Sequence, residues 1–584
     1  MTHSLLPWRV AVIGAAVGAA VILSQPALAA YGSTPPSAQD LEHSTAFGSY
    51  LAARHASIER DAGTAAAYYL NVLKADPRNP DILGRAFLSE LDAGNIDKAG
   101  KLADRLILTD RSNRMARLVI GVRELKERHY RRARQNFAQS VRGPVTDLTA
   151  TLLSAWALAG AGDARLAVDT LDRLTGPDWY NIFKDLHAGL ILDLANHKKE
   201  AGKRYQRAYN ADPGALRTVQ AYGQYLSRAV GKNAALKIYQ DFAKSVPDHP
   251  LVVEEMKEIA AGKKLPSLVD SPQAGAAEAL YGLGASIGSR GGEDLALIYL
   301  QLALYLKPTH TMALLSLADL YEQMKKPGLA ILAYDRIAAS SPLHRNAEIQ
   351  AATDLDALGR SAEAKTRLQH LVAEYPKDTE ALMALGNLLR GHKEFAECAD
   401  VYGKAINTIA APGQSNWVMF YFRGICYERS HQWPKAEADL KKALELKPDQ
   451  PLVLNYLGYS WIDQSVHLEE GMGMIRRAVE QRPDDGYIVD SLGWAYYRTG
   501  NYPEAVKNLE RAAELKPDDP TINDHLGDAY WRVGRTLEAH YQWAQAKEFG
   551  PDPGDLAKIK EKLKVGLSDT SAAVAKPKKA GNGG

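Results

Sequence analysis

The sequence predicts an all-α protein in which two-helix repeats follow one another as a solenoid. Small residues and prolines recur every 34 residues, and apolar residues within each repeat recur three or four positions apart. The 584-residue chain has an ordinary soluble composition, with 46% hydrophobic and 24% charged residues. A fixed period of this length is typical of proteins whose repeats each bury a face against the next. We therefore expect a solenoid of about 14 helix–turn–helix repeats.

The first 29 residues have the pattern of an export signal and do not belong to the repeats. Arg9 precedes an apolar run of 14 residues, 10–23, and Ala27-Leu28-Ala29 resembles a signal-peptidase site. A membrane-spanning helix needs roughly 20 residues. We expect a cleaved signal peptide, residues 1–29, and a periplasmic mature chain; an uncleaved inner-membrane anchor is the alternative. No cysteine directly follows the apolar run, so no lipid anchor is expected.

The clearest repeats lie in the C-terminal half of the chain. Gly493, Ala505, Ala512 and Pro517 recur 34 residues later as Gly527, Ala539, Ala546 and Pro551. A small residue at the eighth position lets the first helix lie close to the second, where an alanine provides the matching gap. The proline cannot donate a backbone hydrogen bond, so it ends the second helix and starts the next repeat.

A break in this phase divides the predicted array in two. Residues 258–274 carry two prolines and separate an N-terminal sub-array, 30–257, from a C-terminal sub-array, 275–552. We count about six repeats before residue 250 and about eight after residue 274. Residues 553–566 read as a polar capping helix, which the last repeat of a solenoid needs. Residues 567–584 read as a solvated tail.

The repeat phase also determines how a hydrolase-like motif is interpreted. Gly284-Ala285-Ser286-Ile287-Gly288 matches the G-x-S-x-G pattern of a nucleophile elbow, in which a strand and a sharp turn expose the serine. The repeat phase instead places Gly284 at the eighth position of a first helix. Ser286 then lies in mid-helix, so we do not expect it to be a nucleophile.

No other motif predicts a catalytic, cofactor-binding or metal-binding residue. The net charge of +2 gives no electrostatic footprint for nucleic acid. Cys398 and Cys426 fall where small buried residues are expected, and neither has zinc-ligand spacing. We expect two free structural thiols, although an exported compartment also permits a disulfide between them. The sequence therefore predicts a non-catalytic protein that needs no cofactor.

The period and the small residues resemble the tetratricopeptide repeat (TPR), and this resemblance implies that the repeats form a right-handed superhelix. In that family the second, fifth, ninth, twelfth and thirteenth positions of the first helix line a groove that binds proteins or extended peptides. On this chain those positions are Tyr421, Arg429, Asn455, Tyr459, Asp463, Tyr487, Asp490, Trp494, Tyr497, Arg498, Asp524, Asp528, Trp531 and Arg532. Aromatic rings and Arg suit such a surface. Alternatively, some of these aromatic residues, Trp494 and Trp531 first, pack between neighbouring repeats.

Longer stretches are similar to exported proteobacterial TPR proteins. They are "YLAARHASIERDAGTAAAYYLNVLKADPRNPDILGRAFL", "EDLALIYLQLALYLKP" and the region from "LNYLGYSWIDQSV" to "LGWAYYRTGNYPEAV". One branch of that group is an outer-membrane lipoprotein that activates a periplasmic carboxyl-terminal processing protease and delivers cell-wall hydrolases to it. This chain lacks the lipidated cysteine, so the resemblance does not extend to membrane attachment. It implies an adaptor for such a protease; the alternative is an assembly scaffold for an envelope, exopolysaccharide or secretion complex.

Overall fold

The computed structural model describes residues 36–140 and 143–567, which form helices and no strand. The predicted signal peptide and residues 568–584 of the predicted tail lie outside this part of the chain. None of the described helices is both long enough and apolar enough to cross a membrane. The chain divides into two compact units, an N-terminal unit that ends at Arg367 and a C-terminal unit that begins at Leu368.

The helices of the N-terminal unit are α1 Ala38–His43, α2 Ala46–Ile58, α3 Ala62–Ala75, α4 Pro80–Asp92, α5 Ile96–Thr109, α6 Arg114–Lys126, α7 Tyr130–Phe137, α8 Pro144–Gly160, α9 Ala164–Arg173, α10 Tyr180–Leu194, α11 Lys198–Ala211, α12 Leu216–Ala229, α13 Lys232–Ala243, α14 Pro250–Ala260, α15 Pro272–Gly288, α16 Glu293–Leu306, α17 Thr311–Gln323, α18 Pro327–Tyr334 and α19 His344–Ala357. The next helix, α20 Ser361–Glu374, contains the boundary between the two units.

The helices of the C-terminal unit are α21 Thr379–Gly391, α22 Phe395–Asn407, α23 Trp417–Arg429, α24 Trp433–Leu446, α25 Pro451–Asp463, α26 Leu468–Gln481, α27 Gly486–Arg498, α28 Tyr502–Leu515, α29 Pro520–Arg532, α30 Thr536–Glu548 and α31 Pro553–Val565. A short 3-10 turn, Gln414–Asn416, precedes α23. Helix α31 occupies the stretch predicted as the capping helix.

The order of the helices follows the predicted repeats. Helices α2 to α13 make six successive pairs, and α15 to α30 make eight more, while α14 stands between the two sets. The predicted linker, 258–274, contains the end of α14, a non-helical stretch and the start of α15, and it lies inside the N-terminal unit. The two compact units meet after Arg367 and not at this linker. The division into two sub-arrays at the linker concerns the repeat phase, and it stays a prediction.

Local chemistry defines the helix ends, as the last repeat shows. The Asp519 carboxylate caps α29 by accepting a hydrogen bond from the backbone N–H of Thr521 at 2.9 Å. Pro520 occupies the first turn of this helix, where no backbone donor is needed. The turn into α30 passes through Gly534 with φ of +83°, a conformation that favours glycine.

The small residues lie where the two helices of a repeat touch. A Cβ atom added to Gly493 would lie 2.5 Å from Cγ of Leu509, and one added to Gly527 would lie 2.5 Å from the Trp543 ring. Both distances are shorter than a normal contact, so only glycine fits at either position. The predicted repeat register is therefore confirmed for these two helix pairs.

Ser286 lies inside α15, as the repeat phase predicts. A Cβ atom on Gly284 would approach Tyr299 and Leu300 of α16 to 3.2 Å, so this glycine serves the contact between the two helices. No strand precedes the serine in the described chain, and its backbone continues through the helix without a turn. The nucleophile-elbow reading is excluded.

The two cysteines are joined, and the expectation of free thiols is wrong. A disulfide links Cys398 in α22 to Cys426 in α23. Both positions are buried, as predicted. The second helix of one repeat and the first helix of the next bring their Cα atoms to 6.0 Å, which is within the normal range for a disulfide. The bond joins two successive repeats, α21–α22 and α23–α24.

Candidate functional site

The candidate site is one face of the C-terminal unit, and we call it the candidate face. It consists of the fourteen predicted groove residues on the first helices of four successive repeats, α23, α25, α27 and α29. Three of them, Tyr421, Asp490 and Asp528, are buried. Arg429 and Asp463 are exposed, and the other nine are half-buried.

A stack of three rings forms the centre of the candidate face. The Trp494 ring lies between Tyr497, at a centroid distance of 4.7 Å, and His525, at 3.9 Å, and both pairs are nearly parallel. The indole Nε1 atom of Trp494 has no hydrogen-bond partner, although it is shielded from solvent. Trp494 and Tyr497 thus combine aromatic surface with polar atoms.

Below the stack, Asp490 pairs with His525. The imidazole Nδ1 atom lies 3.0 Å from one carboxylate oxygen of Asp490 and 3.1 Å from the other. Burial alone would lower the pKa of His525, but the charge and hydrogen bond of Asp490 raise it above its ordinary value. Asp490 was predicted to face a partner, and in the structure its carboxylate is engaged within the protein.

The acidic end of the candidate face is also engaged internally. Lys562 of α31 lies 2.8 Å from both carboxylate oxygens of Asp524 and 2.8 Å from Oδ2 of Asp528. The other oxygen of Asp528 accepts a hydrogen bond from Nε1 of Trp543 at 2.9 Å. The capping helix therefore occupies the end of the face, and these two aspartates hold it in place.

Trp531 packs between the last repeat and the capping helix. Its ring lies 5.5 Å from Trp543, and Leu563 and Leu567 pack in the same cluster. Gly566, at φ of +71°, follows α31, and a Cβ atom there would lie 2.2 Å from the Trp531 ring. Trp531 therefore packs within the last repeat and against the capping helix.

At the opposite end, Tyr421 is part of an aromatic cluster. Its ring contacts Trp417 at a centroid distance of 5.8 Å, Phe422 at 5.3 Å and Tyr456 at 6.0 Å. Burial raises the pKa of Tyr421 to about 12. Tyr421 is therefore a buried packing residue, whereas Arg429 on the same helix is exposed to solvent.

The arginines of α27 and α29 each contact the first helix of the preceding repeat. Arg498 donates to a carboxylate oxygen of Asp463 at 2.7 Å and to the Asp463 carbonyl at 2.8 Å. Arg532 Nε lies 3.4 Å from the Tyr497 hydroxyl. The Arg532 guanidinium therefore lies beside the stack, whereas the Arg498 guanidinium is held at the end of α25, and both remain partly open to solvent.

Three predicted residues complete the face at half-buried positions. Burial raises the pKa of Tyr459, as does the nearby charge of Asp490. The Lys516 ammonium lies 5.5 Å from the ring centroid of Tyr487. The side-chain oxygen of Asn455 is shielded from solvent and has no hydrogen-bond partner. The central face therefore offers aromatic surface, unpartnered polar atoms and arginines.

The N-terminal unit covers the corresponding face with two of its own helices. The Tyr299 hydroxyl of α16 lies 3.0 Å from the Thr149 hydroxyl of α8. Gly275 of α15 lies against the ring of Trp156, also in α8. Counted with Ala155 at the eighth position, these two α8 residues stand at the second and ninth positions, which line the groove in the TPR family.

Further contacts extend this cover along the N-terminal unit. Gln273 of α15 donates to the Leu125 carbonyl of α6 at 3.0 Å, and the Tyr305 hydroxyl of α16 donates to Asp97 of α5 at 2.6 Å. Sequence reasoning missed this arrangement, although "EDLALIYLQLALYL" carries a signal for it. A helix that is apolar on all sides is buried on all sides.

The described chain contains one group of side chains whose ligand atoms lie close enough together for a metal ion. Glu124, Glu127 and His129 place one such atom each within 4.8 Å of the others. His129 and Glu127 are exposed, and Arg132 lies 3.9 Å from the Glu124 carboxylate. The group is a charged turn at the surface and gives no reason to assign a cofactor.

Comparisons with known proteins agree with the repeat architecture. A family profile described as "TPR repeat" matches residues 493–534, and one described as "Tetratricopeptide repeat" matches residues 349–415. The chain is 27% identical over 202 residues to the TPR repeat-containing protein PA4667 of Pseudomonas aeruginosa. That match covers 33% of this chain and 32% of the relative, so the chain spans about a third of the length of the curated relative it matches.

Solved structures with similar helices include the APC/C hetero-tetramer Cut9-Hcn1 and YrrB, described as a TPR protein with an unusual peptide-binding site. The first is 14% identical, with a TM-score of 0.36, and covers 90% of this chain and 98% of that chain. The second is 19% identical, with a TM-score of 0.26, and covers 33% of this chain and 97% of that chain. The fold assignment rests on the helices of this chain and on the two repeat matches.

Proposed function

We propose that this chain, which contains tetratricopeptide repeats, is a non-catalytic adaptor of the bacterial envelope that binds a periplasmic carboxyl-terminal processing protease and its substrates. TPR repeats indicate a scaffold for protein–protein interaction, and a scaffold acts by raising the effective concentration of the proteins it holds. The repeat fold is generally non-catalytic. The protease and its cell-wall hydrolase substrates come from the resemblance of the longer stretches.

The observation that carries the proposal is the centre of the candidate face. Trp494 and Tyr497 form a stacked aromatic surface that is partly open to solvent, Arg532 contacts it through the Tyr497 hydroxyl, and Arg498 follows Tyr497 on the same helix. Aromatic residues and arginines dominate the binding energy of protein interfaces because they combine a large rigid contact area with hydrogen bonding. The face therefore has the composition of a protein-binding surface.

The disulfide supports the exported location. Cys398 and Cys426 are buried and bonded to each other, and such bonds persist in oxidising compartments such as the periplasm. A periplasmic partner is consistent with this bond. The location in the envelope is part of the proposal.

The contacts that α15 and α16 make within the N-terminal unit limit where an adaptor of this kind can bind an extended peptide. Helices α15 and α16 cover Thr149 and Trp156 of α8, so an extended peptide cannot lie along that helix. We therefore assign substrate capture to the candidate face of the C-terminal unit. The N-terminal unit contacts a second protein through its remaining surface.

A crosslinked pull-down of the tagged protein from the periplasm, read by mass spectrometry, tests this function. We expect a carboxyl-terminal processing protease among the recovered proteins, and accumulation of cell-wall hydrolases when the protein is absent. Recovery of only secretion or envelope-assembly subunits would reject the adaptor and favour the assembly scaffold.

Variants of the candidate face identify the binding surface in the same experiment. Trp494→Ala should weaken partner recovery by about tenfold or more, the effect of losing an interface residue that contributes about 1.4 kcal/mol. Tyr541→Ala is the matched control, because Tyr541 is a 65% exposed aromatic residue on α30, outside the face. Equal effects of the two variants would show that the face is not the binding surface. A fall in melting temperature that accounts for the loss would place Trp494 in the core.

A further inference from the structure

Three carboxylates lie near Tyr334 in the N-terminal unit, and we call them the acidic group. Asp319 and Glu322 belong to α17, and Asp354 belongs to α19. The Tyr334 hydroxyl donates a hydrogen bond to Glu322 Oε1 at 2.7 Å and lies 3.5 Å from Asp319 Oδ1. Asp319 is exposed, Glu322 is half-buried, and Asp354 is 9% exposed.

No cation of the described chain pairs with the acidic group. None of its members makes an ion pair with a Lys, Arg or His side chain in that part of the molecule, and Oδ2 of Asp354 is buried without any hydrogen-bond partner. Glu278 in the same unit shows the usual arrangement, with Arg217 at 2.6 Å and His310 at 3.0 Å. A buried carboxylate without a partner is costly, so the group is incomplete as it stands.

The pKa values of the acidic group agree with the absence of a cation beside it. Burial, and after it the charge of Glu322, raises the pKa of Asp354 to about 7 and that of Asp319 to about 6. Asp319 reaches solvent, yet the surrounding protein still raises its pKa. Each carboxylate is therefore harder to ionise in the free protein than it would be beside a bound positive charge.

The geometry distinguishes a cationic side chain from a metal ion. The carboxylates of the acidic group do not bring one ligand atom each within 4.8 Å of one another, an arrangement that the described chain shows only at Glu124, Glu127 and His129. A Lys or Arg side chain carries several donors and can interact with separated carboxylates.

We infer that the acidic group is a binding site for a positively charged segment, bearing Lys or Arg, of a partner protein. Asp354 contributes a buried oxygen that has no hydrogen-bond partner, and Asp319 contributes an exposed carboxylate. The inference deepens the proposed function by giving the charge of one partner segment, and it rests on that function only in requiring a protein partner. It does not involve the candidate face of the C-terminal unit.

Peptide binding to the purified full chain tests the inference by fluorescence anisotropy at low ionic strength. The probe is a labelled peptide of alternating glycine and arginine, and its counterpart has glutamate in place of arginine. We expect binding of the arginine peptide only, and about tenfold weaker binding to the Asp319→Asn/Glu322→Gln variant. The matched control is Asp169→Asn/Asp178→Asn, which removes the same charge at two exposed aspartates of the same unit.

Several outcomes would overturn the inference. These are equal weakening by the two double variants, which indicates non-specific attraction, and the absence of arginine-peptide binding. A chain that ends at Leu567 is a further test, because the removed residues include Lys576, Lys578 and Lys579. If this chain binds the probe more tightly through Asp319 and Glu322, the occupant is the protein's own tail, and the assignment to a partner is wrong.

A stability measurement tests the site without any probe. Asp354→Asn removes a buried charge that has no partner and leaves the side-chain volume almost unchanged. We expect this variant to melt at a higher temperature than the unsubstituted chain and to bind the arginine peptide more weakly. A lower melting temperature would show that Asp354 stabilises the fold, and the inference would fail. Loss of the protease in the pull-down would leave both peptide and melting results unaffected, so the two proposals fail separately.

Discussion

Two glycines of the C-terminal unit allow a direct test of the repeat register. Gly493 in α27 and Gly473 in α26 are both helical and both lie inside their helices. A Cβ atom on Gly493 would lie 2.5 Å from Cγ of buried Leu509 and 3.1 Å from its backbone nitrogen, whereas one on Gly473 would meet nothing within 4 Å. The pair separates the packing role of a glycine from its helix propensity.

The expected magnitudes follow from these distances. Replacing a helical glycine by alanine stabilises a helix by about 1 kcal/mol at either position, because alanine loses less backbone entropy on folding. Overpacking against Leu509 costs about 1–3 kcal/mol at Gly493 and nothing at Gly473. Gly473→Ala should therefore be the more stable variant by about 1–3 kcal/mol, since the propensity contributions cancel.

Urea and thermal denaturation of the two single variants provide the measurement. For a unit of this size, a difference of 1 kcal/mol shifts the melting temperature by about 2–4 °C. Gly493→Leu, which adds a larger side chain at the same contact, should be less stable than Gly493→Ala. If Gly493→Ala is as stable as Gly473→Ala, the two helices of this repeat are not in close contact, and our register is wrong.

Three further predictions concern the C-terminal unit. Replacing Cys398 and Cys426 by serine should lower the free energy of unfolding by about 3–4 kcal/mol, because the disulfide closes a chain segment with a sequence separation of 28; a reductant that leaves the urea midpoint of the unsubstituted chain unchanged would contradict this. Asp490 and the two aspartates of α29 raise the pKa of His525 above its ordinary value of 6.5, so their interaction with the protonated imidazole stabilises the fold fully below pH 6.5, and this stabilisation is lost as the pH rises through the folded pKa. Asp490→Asn should remove most of this pH dependence from denaturation curves taken across that range. An unchanged profile would exclude the Asp490–His525 pair as its source. Lys562→Ala leaves two aspartates unpaired and should cost about 3 kcal/mol or more, whereas Lys562→Arg should retain most of the stability; equal urea midpoints for the two would show that the ion pairs do not hold the capping helix.

The candidate face shows how far sequence reasoning reached. The repeat phase placed Trp494, Tyr497 and Arg498 on one face, and in the structure the rings of Trp494 and Tyr497 stack on each other. The same phase could not tell which charged residues of that face are already paired. Asp490 pairs with a histidine one repeat later, and Asp528 pairs with a lysine of the capping helix. A residue's position in the repeat determines on which face of the helix its side chain lies. Its hydrogen-bond or ion-pair partner depends on which residue the neighbouring helix places opposite it.

The sequence by itself determined the two-helix repeat, its phase, the close helix contacts at glycine and the location of Ser286 in a helix. These features depend on residues near one another in the chain, and a fixed period records them at every repeat. Only the tertiary structure decided that α15 and α16 cover the face of the N-terminal unit, because contacts such as Thr149 with Tyr299 join residues 150 positions apart. The disulfide and the acidic group were likewise decided there, since each needs side chains from different helices at one point in space, and no period in the sequence specifies that meeting.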